Sequence, residues 1–437
     1  MKKLLLASTS LISTALMAAA PVNQPIGSSF TLGSSLNQRA LATASSNPAA
    51  PFLMVNAQED DSFRFGIIGP IGVGVEFGDI SDLSDQIDRA EEILDATYTS
   101  VSAANAGITE VNGILNDIAD TAYVKVSAST QIPLMPIIYK TKSSGAFMID
   151  ASVSLVGRGS LLASDVTVDT SGVSPELTSN TSMYANVATD LNIGVGYSQK
   201  IWQPESDKGI LVGGIKANFH QLSLGQALSV LSDDSDDASD VFSDTITDDA
   251  ESATGVGLDL GLIWFSDIYH AGITVANINQ PEFDYNAVGT SCSSKTGSAL
   301  TSCNAAAAFI AAGKLSATNT YTMETQTTLD FSVSTPAKQV TLGLSYDVNP
   351  VDDAVGDEYQ WAVASVSYYG DSHFIPGLRA GFRQNMAGTE LSYATAGLTL
   401  LKRLNLDVAI ALDTVTDEDG DEIPRSGFIS LGYDTAF

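Results

Sequence analysis

The sequence predicts an all-β chain: a 14-stranded antiparallel transmembrane β-barrel. Three observations predict it. Apolar residues alternate with small or polar ones over segments of about ten residues. Long and short connections alternate along the chain. The chain also closes on an aromatic residue, Phe437. The alternation is clearest in Leu404, Leu406, Val408, Ile410 and Leu412, which are interleaved with Asn405, Asp407, Ala409 and Ala411. It recurs in Val256, Leu258, Leu260, Leu262 and Trp264, and in Val340, Leu342, Leu344 and Tyr346. Over 321–333 it sets Tyr321, Met323, Leu329, Phe331 and Val333 against Thr322, Asp330 and Ser332. Successive side chains of a strand point to opposite faces, so each segment has one oily and one polar face.

Two architectures satisfy that pattern: a soluble sandwich with a shared dry core, or a barrel whose oily face meets lipid. The polar faces here are Gly, Ala, Ser and Thr rather than the Lys and Glu of a water-exposed sheet. Charged residues make up only 16% of the chain, against about 25% in ordinary soluble proteins. Both facts favour the barrel. With 20 Lys+Arg against 51 Asp+Glu, the formal net charge is -31. A surface this acidic repels phosphate backbones, so no nucleic-acid partner is expected.

In chain order, residues 1–20 read as a signal peptide: Lys2 and Lys3, an uncharged apolar run over 4–17, then Ala18-Ala19-Ala20. That run is too short to span a bilayer as a helix, and export to the bacterial outer membrane follows. Residues 21–62 are rich in Ser, Ala and Asn and contain Asn47-Pro48-Ala49. They carry little large apolar surface and cannot form a core alone. The barrel occupies 63–437. Its candidate strands begin at 63–77, 122–138, 145–157 and 183–199 and end at 404–413 and 425–437. The connections 78–121, 158–182, 224–252 and 280–320 are long, whereas 139–144, 200–208, 267–268 and 402–403 are short. Outer-membrane barrels have long outer loops and short periplasmic turns.

Within the first long connection the period changes. Leu83, Ile87, Ala90 and Leu94, then Ile108, Val111, Leu115 and Ile118, follow helical spacing. A helical hairpin inserted over 79–121 is expected, divided at Asn105-Ala106-Gly107. Cys292 and Cys303 share one long loop of an exported chain and are expected to form a disulfide. The acidic runs 233–237 and 417–422 offer hard oxygen ligands, with Asp417, Asp419 and Asp421 the candidates for a divalent cation. Neither run has the twelve-residue calcium-loop spacing, and a solvated acidic face, neutralised by ions shared with lipopolysaccharide, is the simpler reading. His220, His270 and His373 are scattered, and nothing orients Ser266 and His270, which flank a short turn. Neither a cofactor nor catalysis is expected, and the histidines read as structural or girdle residues. In the terminal strand Ile429, Leu431, Tyr433 and Phe437 share one face, which resembles the terminal-strand signal read by the barrel-insertion machinery; the alternative is an edge strand that ends in Phe. The patterning also makes Leu406 lipid-facing and Asp407 lumen-facing, so Asp407→Asn is expected to be mild.

The Asn47-Pro48-Ala49 stretch before the first strand, the strand number and the terminal Phe437 together resemble the FadL-like family of outer-membrane transporters of hydrophobic compounds. The run 63–79, FRFGIIGPIGVGVEFGD, is similar to the start of the branch labelled conjugal transfer TraF-like. The thioredoxin-like protein of that name is a different one, since this chain has no Cys-x-x-Cys. The resemblance implies that 21–62 forms a plug inside the barrel. It also implies passive transport of small hydrophobic molecules by a monomer in contact with lipid and lipopolysaccharide. The alternative is a non-transporting surface barrel, associated with conjugation or secretion, whose acidic loops are the interaction surface.

Overall fold

The computed structural model describes residues 27–55, 62–142, 145–170, 175–205, 208–231, 250–417 and 420–434. The signal peptide, the 233–237 run, Asp419 and Phe437 lie outside the described residues. The barrel strands are β1 (Phe63–Phe77), β2 (Tyr123–Gln131, resuming at Ile137–Lys140), β3 (Ala146–Leu162), β4 (Ser182–Trp202) and β5 (Ile210–Val230). They continue as β6 (Glu251–Phe265), β7 (Tyr269–Ala276), β8 (Gln326–Ser334), β9 (Val340–Asp347) and β10 (Trp361–Tyr368). The last four are β11 (Gly377–Asn385), β12 (Ser392–Leu400), β13 (Leu404–Ala411) and β14 (Ser426–Asp434). Each pairs antiparallel with its sequence neighbours. The ring closes where β1 meets β14, with Gly72 opposite Ser430 and Glu76 opposite Ser426. Closure gives every strand of the ring a partner on both sides, the condition for a sheet to face hydrocarbon.

Parity around the ring is consistent. Leu258, Leu260 and Leu262 on β6, Leu329 and Phe331 on β8, Leu342 and Leu344 on β9, and Ile429 and Leu431 on β14 all point outward and are exposed. Their neighbours Ile263, Asp330, Ser332, Thr341, Ser345 and Ser430 are buried inside. Outward aromatics gather at the end with the short turns, paired as Phe63–Tyr139, Phe147–Tyr197 and Trp202–Trp264. This is the girdle expected where a barrel leaves the bilayer. Arginine near the midplane of such a barrel costs about 2–4 kcal/mol. Leu260→Arg is therefore expected to lower the yield of heat-modifiable barrel on unheated gels, while the inward Ser345→Asn leaves it unchanged. Equal yields would mean that the two faces are reversed.

Three features depart from the sequence expectation. First, β3, β4 and β5 run 17, 21 and 21 residues, well beyond the roughly 9–11 that cross a bilayer. They rise past the other strands at the long-loop end. Helices α1 (Leu83–Leu94) and α2 (Val101–Thr121) lean on the outer face of this extension. There Leu83, Ile87 and Ile118 cluster with Ala122 and Leu161, and Val111 and Leu115 with Ala163 and Val166. The hairpin divides at 95–100, not at Asn105-Ala106-Gly107, which lies within α2. Ser100 caps α2 by accepting from the Ala103 N–H at 3.2 Å, which sets the start of the helix ahead of the small residues.

Second, Tyr321 and Met323 do not face lipid. Residues 320–322 pair with 282–284 in a hairpin of the long connection, and both side chains are buried in a loop core. Period two continues through the segment, but the pairing partner changes at 323–325. Third, helix α3 (Gly297–Ala311) packs Ala305, Ala306 and Phe309 on Leu228 and Val230 of β5. The Cys292–Cys303 disulfide, with Cα atoms 5.5 Å apart, ties the start of this loop to α3. Among the described residues no helix is long and apolar enough to cross a membrane; the strands make the crossing.

Candidate functional site: the lumen and the segment inside it

A fourteen-stranded ring is wider than the eight-stranded barrels that side chains fill and narrower than the open porins. Residues 27–55 occupy the resulting space at the short-turn end. They form short turns of helix at Ser29–Leu32, Leu41–Ser45 and Pro51–Met54. Inward side chains of the wall satisfy this backbone. The Leu36 N–H lies against the His270 ring at 3.2 Å from Nε2, and Ser367 Oγ accepts from Asn37 Nδ2 at 2.8 Å. Lys140 Nζ donates to the carbonyls of Phe52 and Val55 at 2.6 and 3.0 Å. Arg64 donates to those of Gln38 and Met54. Thr31 Oγ1 donates to Asp407 at 2.9 Å. Asp407 is also gripped by Arg379, at 2.9 and 2.8 Å through Nε and Nη2.

The segment is less polar in its contacts than its composition suggests. Leu36, Leu41, Leu53, Met54 and Val55 form one cluster with the inward Ile138, Met148, Val212 and Ile263. The apolar residues of 36–55 find their core against the wall and not within the segment. Asn47, Pro48 and Ala49 have a defined seat. Asn47 Oδ1 accepts from Ala49 N at 2.8 Å, folding the tripeptide on itself, and its amide donates to the Ile273 carbonyl at 3.2 Å. The tripeptide lies against Gly214 and Gly261, which face each other across β5 and β6. A Cβ on Gly214 would overlap the Pro48 carbonyl, and one on Gly261 the Asn47 side chain. Gly261→Val is therefore expected to push this turn off the wall. Cleavage of residues 27–55 by added protease in the folded, detergent-solubilised barrel should rise over wild type. Unchanged cleavage would mean that the seat is not tight.

Read along the inward positions of β5, the lumen is layered. Val212 belongs to the lower apolar cluster and Gly214 to the Asn47 seat. Lys216, Asn218 and His220 then line a cavity of about 320 Å³. Above them Leu222 and Leu224 join Phe283, Tyr285, Tyr321, Met323, Ala354 and Val355 in an apolar cap built from the long loops. The cap is latched electrostatically. Lys125 of β2 reaches Asp353, Asp357 and the Tyr359 hydroxyl, with Asp357 at 2.7 Å and Tyr359 at 2.6 Å. Arg158 meets the other Asp357 oxygen at 2.7 Å. The loop between β9 and β10 is thereby pulled inward over the mouth.

The cavity lies between the inner segment and this cap. Asp150, Asp190 and Asp259 line one side, and Asp347, Trp361 and Arg383 the other. Arg383 is held against the rings of Trp361 and Phe30, at 3.8 and 4.5 Å. The site expectations fall out unevenly on this geometry. His220 and His270 are in the lumen rather than the girdle, and His373 lies exposed on a short turn. Ser266 bonds its own turn at Tyr269 and does not meet His270. His270 instead contacts Ser332 Oγ at 2.7 Å and Asp330 at 3.0 Å. That serine–imidazole–carboxylate order is sealed beneath Leu36, and Ser332 is only 1% exposed. Asp417 and Asp421 bond each other's backbone in a hairpin turn. Among the described residues no three metal-ligating side chains gather. Tyr433 lies on β14, two residues beyond the exposed Leu431.

Comparison with known families decides the relationship. The family described as the F plasmid transfer operon TraF protein matches residues 44–347, more than half of the chain. The chain belongs to this family. Its solved structural likenesses include a deltaS2S3 mutant of the TodX monoaromatic hydrocarbon channel, at 12% identity, TM-score 0.46, covering 96% of this chain and 100% of that one. A deltaS2 mutant of TodX follows at 14% identity, TM-score 0.44, covering 94% and 98%. A Pseudomonas aeruginosa FadL homologue is similar at 10% identity, TM-score 0.39, covering 95% and 99%. A comparison with curated proteins finds no match. The closed strand pairing and the lipid-facing belt make this TraF-family member an outer-membrane β-barrel.

Proposed function

We propose that the protein is a gated channel for passive uptake of small molecules across the outer membrane. The long loops lie outside the cell, and residues 27–55 serve as the plug. One observation carries this reading: a cavity of about 320 Å³ lies within the barrel between plug and loop cap, in the size range of small-molecule sites. A barrel serving only as a surface platform has no need of such a chamber. The hydrophobic cargo implied by the FadL-like resemblance is the second reading, favoured by the apolar cap of Leu222, Leu224, Phe283 and Met323. The chamber beneath is lined by Asp, Asn, Ser and Lys side chains and suits a polar solute better. Proteoliposome swelling discriminates the readings. Entry of small polar amines and amides should exceed that of monoaromatic solutes. Faster entry of aromatics would favour the hydrophobic reading. No solute-dependent swelling from folded protein would leave the surface-platform reading, in which the helical hairpin and acidic loops meet a partner.

A further inference from the structure

We propose that the chamber wall made by β3–β6 binds a small organic cation, a primary ammonium ion. This deepens the channel reading and rests on it for physiological meaning, but the site is defined by the wall alone. Asp150 Oδ2 pairs with Lys216 at 2.8 Å, Asp190 Oδ2 with His220 Nδ1 at 2.9 Å, and Asp259 Oδ2 accepts from Asn218 Nδ2 at 2.6 Å. Each contact fixes what the partner has left over. A carboxylate only accepts, so neutral His220 carries its proton on Nδ1 and Nε2 presents a lone pair. By the same logic Asn218 turns its amide NH2 towards Asp259 and leaves its carbonyl oxygen.

Besides Asn192 Oδ1, four buried atoms on this wall have no hydrogen-bond partner among the described residues: Asp150 Oδ1, Asp190 Oδ1, Asn218 Oδ1 and His220 Nε2. The three oxygens are acceptors, and Nε2 is one in the neutral imidazole. Their residues are 5%, 2%, 6% and 8% exposed, so bulk solvent does not serve them. All four residues line the same cavity. Three carboxylates against one ammonium make the wall net negative. Buried unpaired acceptors are costly, and the complementary ligand is cationic and rich in donors. An ammonium group carries three N–H donors and no acceptor. A calcium ion instead takes six to eight oxygens, and this acceptor set includes an imidazole nitrogen.

The test is equilibrium dialysis of the folded, full-length protein in detergent against radiolabelled n-butylammonium, at 0.15 M salt to screen the acidic surface. Saturable binding is expected, displaced by unlabelled n-butylammonium and not by n-butanol. Asp190→Asn keeps an acceptor for His220 and removes the charge. It is expected to weaken binding roughly tenfold or more, while the exposed Asp371→Asn leaves it unchanged. Asn218→Ala supplies a second variant that leaves every wall charge in place, and it too should weaken binding. Equal displacement by n-butanol, displacement by calcium alone, equal binding by the Asp190 and Asp371 variants, or no saturable binding would each overturn the site. Binding without solute-dependent swelling would overturn the channel reading and leave the site standing, and swelling without binding would do the reverse.

Discussion

Deleting residues 25–58 is expected to raise single-channel conductance severalfold in planar bilayers and to leave the barrel heat-modifiable on gels. The expectation follows from what the segment fills. Leu36, Leu41, Leu53 and Met54 pack across the lumen onto Ile138, Met148, Val212 and Ile263. Asn37, Asn47 and Thr31 bond the wall at Ser367, Ile273 and Asp407. With the segment gone, the short-turn end is open up to the polar chamber. The barrel should survive, because its strand pairing runs round the ring without help from the segment. Lys140 and Arg64, now without the carbonyls of Phe52, Val55, Gln38 and Met54, would face water, where an unpaired charge costs little. The remaining obstruction would be the loop cap latched by Lys125. A deletion protein that folds and conducts no better than wild type would remove the plug assignment.

Asp407→Ala is expected to destabilise the barrel by about 3–5 kcal/mol, the usual cost of leaving one member of a buried ion pair alone. The Arg379 and Asp407 side chains are 0% and 1% exposed. Arg379 would keep its bonds to the Tyr369 hydroxyl and the Leu398 carbonyl but lose the carboxylate of Asp407. Denaturant titration of protein refolded in liposomes measures the loss. The double variant Arg379→Met with Asp407→Leu should recover most of it, because removing both charges removes the unpaired ion. Asp407→Asn falls between these. It keeps hydrogen bonds to Arg379 and Thr31 but leaves the guanidinium without its countercharge, so it is not the mild change that patterning alone suggests. Equal stability of Asp407→Ala and wild type would mean that the pair contributes nothing.

The difference between those two views of Asp407 shows where sequence reasoning stops. Alternation assigns Asp407 to the lumen from its neighbours Leu406 and Val408, and that assignment is local. Its worth depends on Arg379, which β11 presents 28 residues away, and on Thr31 of the inner segment. The same holds for the chamber. Asp150, Asn218 and Asp259 are recognisable as inward polar positions on alternating strands, but nothing in their spacing says that they meet. The pairing of β3 with β4, β4 with β5 and β5 with β6 brings them to one wall. The Asn47-Pro48-Ala49 turn was visible as a motif, whereas its seat on Gly214 and Gly261 was not, because each glycine alone reads as an ordinary small lumen residue.

Fourteen strands, their faces and the alternation of short and long connections were determined by the sequence itself, since side-chain parity and turn chemistry act over a few residues. Where the period stays the same but the partner changes, as at Tyr321 and Met323, local pattern misleads. Where a helix begins depended on the Ser100 cap rather than on the small residues at 105–107. The tertiary structure alone decided what fills the lumen, which charges are paired and which acceptors are left over. Those outcomes depend on register and ring closure, which set the distance between residues that the chain keeps hundreds of positions apart.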